Sequence, residues 1–164
     1  MIAADTNVLI DARQGRTDPA LADRVTRARS LVNEASKANI EIVLPSIVVS
    51  EYLAWFDDAA RPAQRSALEA NFKIMPFDLN AAELAAAIDK RHRAAGTARL
   101  AGVSRACLRV DVMILATAIA AGAKALYTSD ERVAYYATFA SGSSIKIEPL
   151  PIIAPPATTT IRPK

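Results

Sequence analysis

The chain has few of the residues on which many active sites are built. Its 164 residues include one cysteine, Cys107, and one histidine, His92. A single thiol cannot close an intramolecular disulfide, which suits a reducing compartment. Without a second ligand nearby it makes no metal site, and a buried, inert Cys107 is expected. His92 lies in Lys90-Arg91-His92-Arg93, which reads as a basic, solvated helix end. With no other imidazole to act as general base, a Ser-His-Asp triad is excluded. Glycine is scarce, five in all, and none lies near Asp5, so the Gly-rich first turn of a dinucleotide-binding domain is missing. Aromatic residues make up 5%. The core must therefore come from Ala, Val, Ile and Leu, which suits helices packed on a sheet better than a barrel rich in Tyr and Trp. The longest apolar run, Val112 to Ala123, is too short for a bilayer, and Asp5 interrupts the N-terminal apolar segment at once. These features predict a cytoplasmic protein with no membrane span.

The length fits one domain with a sizeable core. A formal charge of +3 and a pI near 9.2 are compatible with a polyanionic ligand but are shared by many ordinary enzymes. Along the chain, apolar strand-like stretches alternate with helical ones. Strands are expected at Met1–Ala4, Ile40–Leu44, Lys73–Phe77, Ala125–Thr128 and Ile145–Glu148. A helix is expected from Asp18-Pro19 onward, with Pro at its first position and Leu21, Val25, Ala28, Leu31, Val32 and Ala35 at helical spacing. Further helices are expected over Ile47–Phe56 with Ser46 as cap, from Pro62 to about Asn71, and from an Asn80 cap with Glu83 completing a capping box. Asp111 is expected to open an Ala-rich helix that Gly122 ends, and a brief helix is expected over Glu131–Phe139. This alternation predicts an α/β fold with a parallel sheet covered on both faces. Pro149, Pro151, Pro155, Pro156 and Pro163 change the character of the chain, dividing it into a domain over 1–150 and a Pro-rich tail over 151–164.

Four acids stand out by position. Asp5 ends the first strand, Asp130 follows the fourth, Asp111 precedes a buried helix, and Glu51 lies about one turn into the helix after the second strand. In open α/β sheets, ligands bind outside the carboxyl ends of the strands, where all four can meet. Each also has a purely structural explanation. Asp5 and Asp111 suit helix caps, Asp130 suits a turn, and Glu51 suits a solvated helix face, although Val48, Val49, Tyr52 and Leu53 surround it with apolar neighbours. Clustered carboxylates raise one another's pKa. A divalent cation removes that conflict, and oxygen-rich sites favour Mg²⁺ or Mn²⁺ over zinc.

Asp5-Thr6-Asn7-Val8-Leu9-Ile10 resembles the first motif of PIN domains. Ser50-Glu51, in Pro45-Ser46-Ile47-Val48-Val49-Ser50-Glu51, resembles the second. Asp111-Val112-Met113-Ile114-Leu115-Ala116-Thr117-Ala118 is similar to the third, and Thr128-Ser129-Asp130 to the fourth. Together, in this order, they are fairly specific, and the matching region runs to about Leu150. Overall size and the early first motif look like VapC-type toxins. The resemblance implies a PIN-like three-layer α/β/α fold with about five parallel strands in the order 3-2-1-4-5. It implies a Mg²⁺- or Mn²⁺-dependent endoribonuclease whose catalytic and metal-binding acids are Asp5, Glu51, Asp111 and Asp130. It also implies supporting hydroxyls at Thr6 and Thr128, a homodimer and a cognate antitoxin. The connection from Gly96 to Val110 and the Pro-rich tail fall outside the pattern.

RNA needs a basic approach, for which Arg13, Arg16, Arg99, Arg105 and Arg109 are candidates, each equally well explained as an ordinary surface charge. Tyr52, Trp55 and Phe56 suit core packing first and a partner groove second. A haloacid-dehalogenase-like phosphatase also begins with a strand and an Asp, but the second Asp it needs two residues on is Asn7 here. A response-regulator receiver lacks its acidic pair. A non-catalytic PIN-like module binding RNA or protein remains the alternative from outside the enzymes.

Overall fold

A computed structural model describes residues 1–13, 19–96 and 105–151, apart from the side chains of Pro19 and residues 105–108. The five-stranded sheet has the order β3-β2-β1-β4-β5, and all four strand pairs are parallel. Its strands are β1 (Ile2–Ala4), β2 (Ile42–Pro45), β3 (Lys73–Met75), β4 (Ala125–Tyr127) and β5 (Lys146–Glu148). The helices are α1 (Thr6–Ala12), α2 (Ala22–Lys37), α3 (Ser46–Leu53), α4 (Arg61–Asn71), α5 (Leu79–Ala94), α6 (Arg105–Ala120) and α7 (Glu131–Ala137), with a 3₁₀ turn over Pro19–Leu21.

Three central strands carry the core. Ala3, Val43, Leu44 and Leu126 are fully buried, as strands covered on both faces must be. Ala3 stands opposite Val43 on one side and Leu126 on the other, so β1 is the middle of the sheet although it has only three residues. The edge strands β3 and β5 each begin with an exposed lysine, Lys73 and Lys146, a charge that discourages pairing with another sheet edge. The helices pack α1 on α2, α5 on α6, and α6 on α7.

Helix boundaries depart from expectation in ways that have local causes. Asp78, not Asn80, caps α5, its carboxylate accepting from Ala81 N at 2.9 Å. No capping box centred on Asn80 is therefore needed, and Asn80 is an ordinary first-turn residue. Ser46 makes no cap for α3; its Oγ accepts instead from Phe77 N at 3.2 Å, joining α3 to the segment after β3. Pro19 opens the 3₁₀ turn and α2 starts only at Ala22; Asp18 lies outside the described residues. Pro62 does stand in the first turn of α4.

The largest difference concerns α6. It begins at Arg105, so Asp111 is the seventh residue of the helix and not its opening one. Nothing in Arg105-Ala-Cys-Leu-Arg-Val breaks a helix, so the turn extends upstream without interruption. At the other end Gly122 adopts φ +75° and Ala123 N reaches back to Ala118 O at 3.1 Å, the left-handed stop that glycine allows. His92, expected to be solvated, packs edge-on against Tyr135, Tyr136 and Phe139 with centroids 5.1–5.7 Å apart, because α7 and the residue two beyond its end lie beside the last turn of α5. Among the described residues, no helix is long and apolar enough to cross a membrane.

Candidate active site

Chain order changes direction at β1: the chain proceeds to β2 and β3 on one side, and β4 and β5 lie on the other. Such a switch point leaves a crevice at the carboxyl ends of the two diverging strands. Asp5 follows β1 directly and Thr128-Ser129-Asp130 follows β4, so both segments border that crevice.

Asp5 is buried and tightly held. Its Oδ1 accepts from Thr6 N at 2.6 Å, and its Oδ2 accepts from Thr128 Oγ1 at 2.6 Å and Asn7 Nδ2 at 2.8 Å. Thr128 Oγ1 in turn accepts from Asp130 N at 2.9 Å. Asn7 ties the same loop a second time, its Oδ1 accepting from Ser129 N at 3.2 Å. On the other side of Asp5, the Thr6 hydroxyl donates to Glu51 Oε2. One network therefore links acids that lie 125 positions apart in sequence.

Asp111 and Asp130 complete the cluster through Arg132. The Arg132 guanidinium donates to both oxygens of Asp130, from Nε at 3.0 Å to each and from Nη2 to Oδ2. The same Nε lies 3.3 Å from Asp111 Oδ2. That oxygen is buried and accepts no hydrogen bond among the described residues. As a mid-helix residue Asp111 cannot act as the cap that sequence alone suggested.

The carboxyl groups shift one another's ionisation. Burial raises the pKa of Asp5, against the hydrogen bonds from Thr128 and Thr6, and the charges of Glu51 and Asp130 add to the rise. Burial also lifts Asp111, from 3.8 to about 6; Arg132 opposes this, and Asp130, Asp5 and Glu51 reinforce it. Asp130 goes the other way, lowered chiefly by the hydrogen bonds from Arg132. The charges of the other three acids thus reach Asp111. A folded-state pKa above the unfolded value means that Asp111 supports folding fully below about 3.8 and loses that support as pH rises through about 6. Asp111→Asn removes a buried charge, so the metal-free variant is expected to melt above the wild type at pH 7, with the gap closing as pH falls from 6 to 4. Melting curves at pH 7, 6, 5 and 4 in chelator would show this; a gap independent of pH would contradict the shift.

A divalent ion suits this donor set in kind. The acids supply only oxygen, as Mg²⁺ and Mn²⁺ prefer, and Asp111 Oδ2 is a buried anionic oxygen with no hydrogen-bond donor. Among the described residues, however, no three of these groups stand placed to hold an ion; Arg132 and Thr6 engage all four in other contacts. Four residues important to the arrangement carry no assigned role in the sequence reading. Asn7 and Arg132 each lie two residues from an acid, a spacing that could have flagged them. Asp11 and Arg24 could not have been paired from sequence: Asp11, almost completely buried, meets Arg24 Nη2 at 2.8 Å, and Arg24 also donates to Ser129 Oγ at 3.3 Å. Of the proposed RNA-binding arginines, Arg13 stacks over Phe56 at 5.4 Å and Arg109 is exposed. Arg16, Arg99 and the side chain of Arg105 lie outside the described residues. Tyr52 is buried and touches Phe56, whereas Trp55 is 67% exposed.

Comparison with known proteins agrees with this fold. The family model described as PIN domain matches residues 2–138. No curated protein matches. Among solved structures, the chain is similar to VapBC2 from Rickettsia felis, bound to a DNA fragment from its promoter, at 16% identity and TM-score 0.62, covering 91% of this chain and 98% of that one. It is similar to FitAcB from Neisseria gonorrhoeae at 19% identity and TM-score 0.61, covering 90% and 96%. It is also similar to DNA-bound VapBC from Salmonella typhimurium at 18% identity and TM-score 0.62, covering 92% and 99%. At such identities the likeness is one of fold.

Proposed function

The chain belongs to the PIN-domain family, and on that premise we propose that it is a divalent-metal-dependent endoribonuclease, the toxin half of a toxin–antitoxin pair. The observation that carries this reading is the meeting of Asp5, Glu51, Asp111 and Asp130 at the switch point of the sheet, with Asp111 inserted mid-helix where neither capping nor solvation accounts for it. Asp5, Glu51, Asp111 and Asp130 would hold the ion, Mg²⁺ or Mn²⁺. When bound, it supplies charge for the phosphoryl oxygens and acidifies water for attack on the phosphodiester.

The protein's own groups do the rest. Thr128 and Asn7 donate to Asp5 Oδ2 and fix the direction of its carboxylate. Thr6 does the same for Glu51. Asp11, Arg24 and Ser129 brace the loop that carries Asp130. Arg13 and Arg109, with Arg16, Arg99 and Arg105, are the candidates for the phosphate backbone. A partner protein is supported by Trp55, whose indole projects from the end of the Glu51 helix, and by analogy with the VapBC complexes. A homodimer and the division into a domain over 1–150 and a Pro-rich tail over 151–164 belong to the same proposal.

The phosphatase reading has less support. Both Asp5 oxygens are engaged by donors, and the residue two positions on is the amide Asn7. The discriminating test is incubation of the purified protein, freed of any partner, with total cellular RNA in Mg²⁺, in Mn²⁺ and in chelator. Discrete metal-dependent cuts are expected, with RNA binding that weakens steeply as salt rises. Absence of cuts in either metal, together with release of phosphate from a generic monoester, would replace the nuclease with the phosphatase; absence of both would leave the binding module.

A further inference from the structure

Arg132 is a cation already seated among the acids. Its guanidinium forks onto both oxygens of Asp130 and places Nε 3.3 Å from Asp111 Oδ2. We propose that Arg132 is the site's own counter-ion, which neutralises Asp111 and Asp130 while no divalent ion is bound and has to leave them for one to enter. The proposal rests on the metal-dependent reading of the site and concerns how that metal gains entry.

Three observations carry it. Two carboxylates brought together repel unless a positive charge lies between them, and the fork of an arginine matches carboxylate geometry with charge-assisted bonds. Among the described residues no three acids stand placed to hold an ion, while the guanidinium contacts both Asp111 and Asp130. Arg132 is also able to move. It sits in the first turn of α7, its side chain is 33% exposed, and it borders an open depression lined by Asn7, Ser129, Asp130 and Glu131. Asp130 stays anchored through its own backbone and by its cap to Arg132 N, so the guanidinium can swing into this depression without unwinding the helix.

On this view Arg132 sets the metal affinity and delays loading without contributing a ligand. Removing its charge frees Asp111 and Asp130 for the ion, so Arg132→Gln is expected to tighten Mn²⁺ binding about tenfold, the worth of a charge-assisted pair. Arg132→Lys keeps the charge but not the fork and is expected to fall between Arg132→Gln and the wild type. Asp5→Asn should bind Mn²⁺ more weakly than the wild type.

The experiment is a Mn²⁺ titration of the whole chain and the three variants, read by the electron paramagnetic resonance of the free ion. Circular dichroism confirms that each is folded. A parallel readout needs no variant: the Arg132 Nε–H resonance of the wild-type protein, followed by NMR as Mg²⁺ is added, is expected to move toward the position of a solvated guanidinium. Tighter binding by Arg132→Gln with that displacement supports the proposal. Equal or weaker binding by Arg132→Gln while Asp5→Asn still weakens it, or an Arg132 resonance that stays put as Mg²⁺ binds, overturns it and makes the residue a fixed strut for Asp130. Binding that Asp5→Asn leaves unchanged would remove the ion from these acids altogether, and the metal-dependent reading would fall with the proposal.

Discussion

Asp5→Asn is expected to lower metal-dependent RNA cleavage by about 10³-fold, the scale seen when a preorganised electrostatic group is lost from an active site, while the fold persists. Asn is nearly the same size as Asp, so the packing around β1 is unchanged. It still offers one oxygen, but its amide nitrogen must face a donor: Thr6 N on one side, or Thr128 Oγ1 and Asn7 Nδ2 on the other. That mismatch costs about 1 kcal/mol. Removing a buried carboxylate whose pKa is raised by burial works in the opposite direction. Stability should therefore change little and turnover greatly. Single-turnover cleavage beside a urea unfolding curve measures both, and a folded variant with wild-type turnover would take Asp5 out of the mechanism.

Leu126→Ala is expected to act the other way round, weakening the fold by about 3 kcal/mol without touching an acid. Leu126 is fully buried in β4, with Ala3 of β1 and Ile147 of β5 as its register partners. Its neighbours are held by the sheet on both sides and cannot collapse into the space. For a chain of this length the melting temperature should fall by about 10 °C. Cleavage well below that temperature should stay near the wild-type level, because Thr128 and Asp130 follow a strand whose backbone pairing remains. A loss of less than 1 kcal/mol in a calorimetric scan would mean that this part of the core relaxes far more readily than a close-packed interior should.

The contrast between these variants follows from what sequence can and cannot express. Buried parallel strands and the helices between them were legible because burial on both faces writes itself as runs such as Ile42-Val43-Leu44, and the strand order agreed with the resemblance. The positions of Asp5 and Asp130 followed from those strands. For Asp111 the helix start expected from the Ala-rich stretch after it is wrong, because the six residues before it are equally able to form helix. Asn80 is expected to cap α5, whereas the cap is Asp78, two residues upstream with an extended backbone; sequence alone does not fix such backbone angles. Arg132 was hinted at only by its spacing from Asp130, and the Asp11–Arg24 pair was beyond reach. Their roles depend on which rotamer a long side chain adopts between elements that are not adjacent in sequence, and no periodicity records that.

The hydrogen bond from Thr128 to Asp5 spans 123 residues, and it has a bearing on how the protein is made. Ribosomes add about 5–20 residues per second, so the first acid emerges roughly 10 s before the residues that orient it. Until β4 seats itself against β1, a growing chain bears Asp5 and Glu51 without Asp130 or the hydroxyl that aims Asp5. On the nuclease reading proposed above, the site stays incomplete until that pairing forms, and a cognate partner would have that interval in which to arrive.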